Sequence, residues 1–135
     1  MSVSNPAKFL NLDLVLRAPV DLEALAEYFG DSVFLLYKGA AEGAFLLALE
    51  PSLVNADPET CLGHLLELIE RLPEDLRDLW DRCTSKAFDF GFDGGFAAPS
   101  FTVQLPPALL GRIARLGGEI HVTVYPFHDD EGAAG

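Results

Sequence analysis

Basic residues are scarce in this chain. Nine Lys and Arg stand against twenty-one Asp and Glu in 135 residues, a formal net charge of −12. Nucleic-acid binding depends on cationic side chains that neutralise phosphates and release counterions. The nine here are scattered rather than clustered, so no nucleic acid is expected as a partner. Anionic membrane surfaces are disfavoured by the same argument. Cysteine is also sparse. Cys61 and Cys83 are too few for a disulfide framework, and both fall among apolar neighbours in expected helices, where a free Cys acts as a small hydrophobe. No apolar run approaches the roughly 20 residues that span a bilayer, so no membrane partner is expected. The opening MSVSNPAKFLNLDL lacks a basic n-region, a continuous apolar h-region and a small-residue cleavage site. It does not read as a signal peptide, and the expected location is cytoplasmic.

Catalytic signatures are missing as well. There is no G-x-S-x-G elbow, no H-E-x-x-H, no Walker loop and no C-x-x-C. Gly91-Phe92-Asp93-Gly94-Gly95 would need a following helix to cradle phosphate, whereas a further strand is expected there, so it reads as a hairpin turn. His128-Asp129-Asp130-Glu131 offers metal-ligand chemistry but lies in a polar tail without a supporting shell. His64, beside Glu67 on the helix face away from Leu62, Leu65 and Leu66, reads as a solvated histidine. Neither a cofactor nor a metal site is expected.

What is present is a globular composition, half apolar and 22% charged. One domain over 1–127 with a short tail over 128–135 accounts for the length. Lys8 to Arg17 alternates, with Leu10, Leu12, Leu14 and Leu16 on one side and Asn11, Asp13, Val15 and Arg17 on the other. That period marks a strand with one buried face. Asp21 then opens a short helix through Leu22, Leu25, Ala26 and Phe29, stopped by Gly30. Ser32 to Lys38 and Ala44 to Leu49 read as strands joined by a loop from Lys38 to Gly43. Asp57 and Pro58 start a helix carrying Leu62, Leu65, Leu66, Ile69 and Leu72, and Pro73 opens another carrying Leu76, Leu79, Trp80 and Cys83.

The last third alternates again. Phe88, Phe90 and Phe92 mark one strand; Phe101, Val103 and Leu105 mark a second. Pro106-Pro107 starts a helix through Leu109, Leu110, Ile113 and Leu116, closed by Gly117-Gly118, and Ile120, Val122 and Val124 mark the final strand. Val15 to Tyr37 aligns without gaps on Val103 to Tyr125, with Pro19/Pro107, Leu22/Leu110, Gly30/Gly118 and Tyr37/Tyr125 identical, which suggests a β-α-β internal repeat. The fold expected is α+β: a two-layer sandwich in which a mixed, mostly antiparallel sheet of about six strands carries helices on one face.

The segments APVDLEALAEYFG, YKG and LPPALLGRIARLGGEIHVTVYP together resemble a bacterial domain-of-unknown-function family, number four-two-seven-nine in the usual series. The resemblance covers nearly the whole chain, rests on strand hydrophobes, Gly and Pro, and implies a small stand-alone cytoplasmic domain. It assigns no activity and no site residues.

If helices shelter the face marked by Leu10, Leu12, Leu14, Phe88, Phe90, Val103, Val122 and Val124, the opposite face is free. It would carry Asp13, Arg17, Asp89, Thr102, Gln104, His121, Thr123 and Tyr125, and the repeat adds Val33, Leu35 and Tyr37. Tyr and Arg favour binding interfaces, although Thr and Tyr also suit a plain solvated sheet. The expected function is a non-enzymatic binding domain for an unidentified protein partner. In one version it neutralises a basic partner such as a toxin, as small acidic immunity proteins do. The alternatives are a small enzyme using Asp13, Asp89 or His121 near Tyr125, and a homodimer joined through sheet faces or edges.

Overall fold

The computed structural model describes residues 7–95 and 100–126. Strand β1 (Lys8–Ala18) leads into helix α1 (Glu23–Phe29), a 3-10 turn (Gly30–Ser32), and the hairpin of β2 (Val33–Ala41) with β3 (Ala44–Pro51). Helices α2 (Pro58–Glu70) and α3 (Glu74–Asp81) follow, then β4 (Ser85–Asp93), α4 (Pro107–Arg115) and β5 (Glu119–Tyr125). The strands form one sheet in the order β2-β3-β1-β4-β5. Every junction is antiparallel except β4–β5, which is parallel. The chain is therefore α+β, with a mixed and mostly antiparallel sheet.

The alternation along β1 sorts its side chains as expected. Leu12, Leu14, Leu16 and Ala18 are buried, and Asn11, Asp13, Val15 and Arg17 face the other way. All the helices pack on the leucine side. Leu25 and Phe29 of α1, Leu62, Leu65, Leu66 and Ile69 of α2, Trp80 of α3, and Leu109 and Ile113 of α4 join Leu47, Leu49, Phe88 and Phe90 in one core. Each fully buried Leu, Ile or Phe contributes about 1.5–3 kcal/mol. Polar contacts also tie the helices together, two of them to α4. Trp80 Nε1 donates to the Leu116 carbonyl at 3.0 Å, and the Arg112 guanidinium grips Glu70 through bonds of 2.9 and 2.7 Å.

Several details differ from the sequence reading. A β-bulge between Phe9 and Asn11 takes Leu10 out of phase. Phe9 therefore packs on Phe92, ring centroids 5.7 Å apart, while Leu10 is 47% exposed rather than buried. The expected Lys38–Gly43 loop is mostly strand: β2 runs to Ala41 and a two-residue turn remains, Glu42 at φ 50° and Gly43 at φ 80°. Positive φ at both central positions is the turn geometry that matches strand twist. Among the described residues the sheet has five strands rather than about six, because residues 100–106 form none. β5 occupies the free edge of β4, so Phe101, Val103 and Leu105 lie along the apolar cleft beside β5 instead of pairing. The second half of the suggested repeat thus lacks its first strand. Leu22 holds the cap position of α1, although the Asp21 side chain still accepts from the Glu23 amide at 2.8 Å. Cys83 is buried but lies just past α3 rather than within it. His64 is half-buried, its Nε2 2.9 Å from the Ser32 carbonyl, rather than solvated. Asp93 Oδ1 accepts from the Gly95 amide at 2.9 Å, so turn chemistry is present after β4, but no strand follows over 100–106. His128 to Glu131, and the tail as a whole, lie outside the described residues.

Candidate functional site

Because every helix is on the leucine side, the opposite face of the sheet is uncovered by any described element. Register assigns its occupants. From β1 come Asn11, Asp13, Val15 and Arg17; from β4, Ser85, Ala87, Asp89 and Gly91; from β5, Glu119, His121, Thr123 and Tyr125. β3 adds Glu50, and β2 adds Phe34 and Tyr37. Asp13, Arg17, Asp89, His121, Thr123, Tyr125 and Tyr37 of the expected set are therefore brought together. Thr102 and Gln104 are not, since their segment joins no strand. Val33 and Leu35 are also misplaced: they pair with Pro51 and Leu49, on the helix side. Tyr37 reaches the open face because a bulge between Leu35 and Tyr37 resets the alternation, a local irregularity that strict alternation could not reveal.

The centre of this face is a knot of carboxylates. Asp13 stands directly opposite Asp89. Glu50, from the neighbouring strand, approaches from the other side and pushes the Asp13 pKa up further. Burial is the main cause of that rise, then Glu50, then Asp89, and together they take Asp13 from 3.8 to about 6. Asp13 Oδ1 is sealed from water yet has no hydrogen-bond partner among the described residues. Its neighbours are better served. Thr123 Oγ1 donates to Asp89 Oδ1 at 2.8 Å, and Asn11 Nδ2 donates to Glu50 Oε2 at 3.3 Å. His121 lies beside Asp89 in register, but its Nε2 is 3.3 Å from Glu119 Oε1. No salt bridge among the described residues reaches Asp13, Glu50 or Asp89. Glu50 was not anticipated; its only signal was the odd charge closing an otherwise apolar strand pattern.

A small polar hollow of about 150 Å³ opens beside Asn11 and Glu50, but Asp13, Asp89, His121 and Tyr125 do not line it. His121, Thr123 and Tyr125 succeed one another along β5, so Tyr125 lies about 13 Å from His121 along the strand. The Tyr125 ring instead leans towards Gly91, where an added Cβ would come within 3.5 Å of it and 2.5 Å of Asn11 Oδ1. An apolar hollow lies elsewhere. A cleft of about 490 Å³ lies on the helix side, between Phe90 and Phe92 of β4, Val122 and Val124 of β5, and the 100–106 segment. No group of acidic, His or Cys side chains among the described residues is arranged to hold a metal ion. No described helix is long and apolar enough to cross a membrane. No family model, curated protein or solved structure matches the chain.

Proposed function

We propose that this protein is a cytoplasmic binding module without catalytic activity, and that the open sheet face receives a basic segment of a protein partner. The observation that carries the reading is the Asp13–Glu50–Asp89 cluster, in which Asp13 and Glu50 share a hydrogen bond but no described cation neutralises the charge. Like charges placed directly opposite across strands destabilise a sheet. A fold that keeps such a pair at its centre, with one oxygen buried and unpartnered, bears a cost that an incoming Lys or Arg would relieve. Arg17 at one end and the Tyr37 and Tyr125 rings at the margins supply contacts typical of binding surfaces. The net charge of −12 adds long-range attraction for a cationic partner. The catalytic alternative is weaker, because Asp13, His121 and Tyr125 lie along a flat face and do not converge on an enclosed pocket.

The test is a titration of the labelled protein with an Arg- and Lys-rich peptide, followed by NMR. Shifts should concentrate at Asp13, Glu50, Asp89 and Thr123, weaken as salt rises, and weaken again as pH falls through about 6 and Asp13 takes up its proton. The double variant Asp13→Asn, Asp89→Asn should abolish them. Shifts spread evenly over the surface, or centred on the helices, would overturn the reading.

A further inference from the structure

Both outer strands of the sheet expose apolar residues, β5 through Ile120, Val122, Val124 and Tyr125 in alternation with polar ones, and β2 in an unbroken run. Four consecutive large apolar residues sit there: Phe34 at 48% exposed, Leu35 at 52%, Leu36 at 47% and Tyr37 at 44%. They show on both faces of the strand, since Phe34 registers with Glu50 and Leu35 with Leu49. Among the described residues β2 is paired with β3 alone, so its other edge has no strand partner. Edges of this kind are normally blunted by charge or proline. Here the only charged residue in Val33–Ala41 is Lys38, near the far end.

We infer that β2 is a homodimer interface, in which the β2 edges of two copies pair antiparallel about a twofold axis near Phe34 and Leu35. Three features favour a second copy over another occupant. An antiparallel edge pair is self-complementary, and once formed it leaves no free β2 edge, so assembly closes at two. The charges agree with that direction. Asp31 precedes the apolar run and Lys38 follows it, so the antiparallel arrangement brings each copy's Asp31 towards the other's Lys38, twice. Lys38 is held by its own Glu23 at 2.9 Å, and an ammonium has donors to spare. The area fits a weak, reversible pairing: four residues of this size, each about half exposed with backbone included, offer on the order of 400 Å² per copy and about 800 Å² in total. The bulge at Leu36 shortens the ladder the two edges can share, so side-chain burial carries most of the contact. This interface would extend the sheet to ten strands and leave the carboxylate cluster uncovered.

Light scattering and sedimentation at micromolar concentration read the state. The wild-type protein should have twice the monomer mass, and Leu35→Lys should have the monomer mass with an unchanged circular-dichroism spectrum. Leu35→Cys should cross-link to itself under mild oxidation while Val122→Cys on β5 does not; Cys61 and Cys83 are buried and do not compete. The cross-linking pair decides the matter even if the lysine variant fails to fold. A wild-type monomer, an open-ended oligomer, a dimer that survives Leu35→Lys with its fold intact, or cross-linking through Val122→Cys instead would each overturn the assignment.

Discussion

Asp13 is the residue whose chemistry departs furthest from its ordinary state. Its folded pKa of about 6 lies above the unfolded value of 3.8, so between these values the folded chain binds more protons than the unfolded one. The contribution of this group to stability is therefore fully favourable below about 4 and is lost as pH rises through 6. Asp13→Asn should stabilise the fold at pH 7 by about 1 kcal/mol, a figure reduced for the water that screens a half-buried group. The advantage should vanish near pH 4. Urea unfolding of both proteins at the two pH values checks this. The difference between them isolates the site, because Asp57 and Glu70 are held below the usual carboxylate range and act in the opposite sense. Gly118 shows a different residue-scale constraint. A Cβ there would stand 2.6 Å from Phe88 Cε2, in the middle of the core. The glycine was legible from sequence as a helix stop, but this close approach was not.

At the scale of elements, the β2–β3 turn places a glutamate where φ is positive. Glu42 at 50° followed by Gly43 at 80° is a position that Asn occupies with less strain. Glu42→Asn should raise stability by about 0.5–1 kcal/mol, read as a shift in the urea midpoint at constant slope. This turn also shows where sequence reading fails. The alternation of β1 and the leucine spacing of α2 were legible because a buried face imposes a period over many residues. The Asp57 cap was legible too, and its carboxylate accepts from the Thr60 amide at 2.7 Å. Bulges at Leu10 and Leu36 break the period at single points, and nothing local announces them. Phe101 to Leu105 carries the same period as a strand, yet whether it pairs depends on which edge β5 has already taken. That is a tertiary competition. Hence most of the open-face set was readable, whereas Thr102, Gln104 and Glu50 were misjudged or missed.

For the molecule as a whole, a net charge of −12 opposes compaction by self-repulsion. Moderate salt screens that repulsion over a Debye length of about 8 Å at physiological strength. The melting temperature should therefore rise between low and moderate concentrations of sodium chloride, and calorimetry across that range checks it. No rise would mean that the acidic groups are already spaced beyond mutual influence. The sheet order carries a further consequence. The first strand of the chain is the middle strand of the sheet, with β3 on one side and β4 on the other. During synthesis β1 leaves the ribosome before the other described strands, but its second neighbour begins only at Ser85. Until then the β1 backbone is bonded on one side only, and a nascent chain stalled earlier would offer that open edge to chaperones and to other chains. A strand made before all four of its sheet-mates thus waits for one of the later ones to complete its pairing.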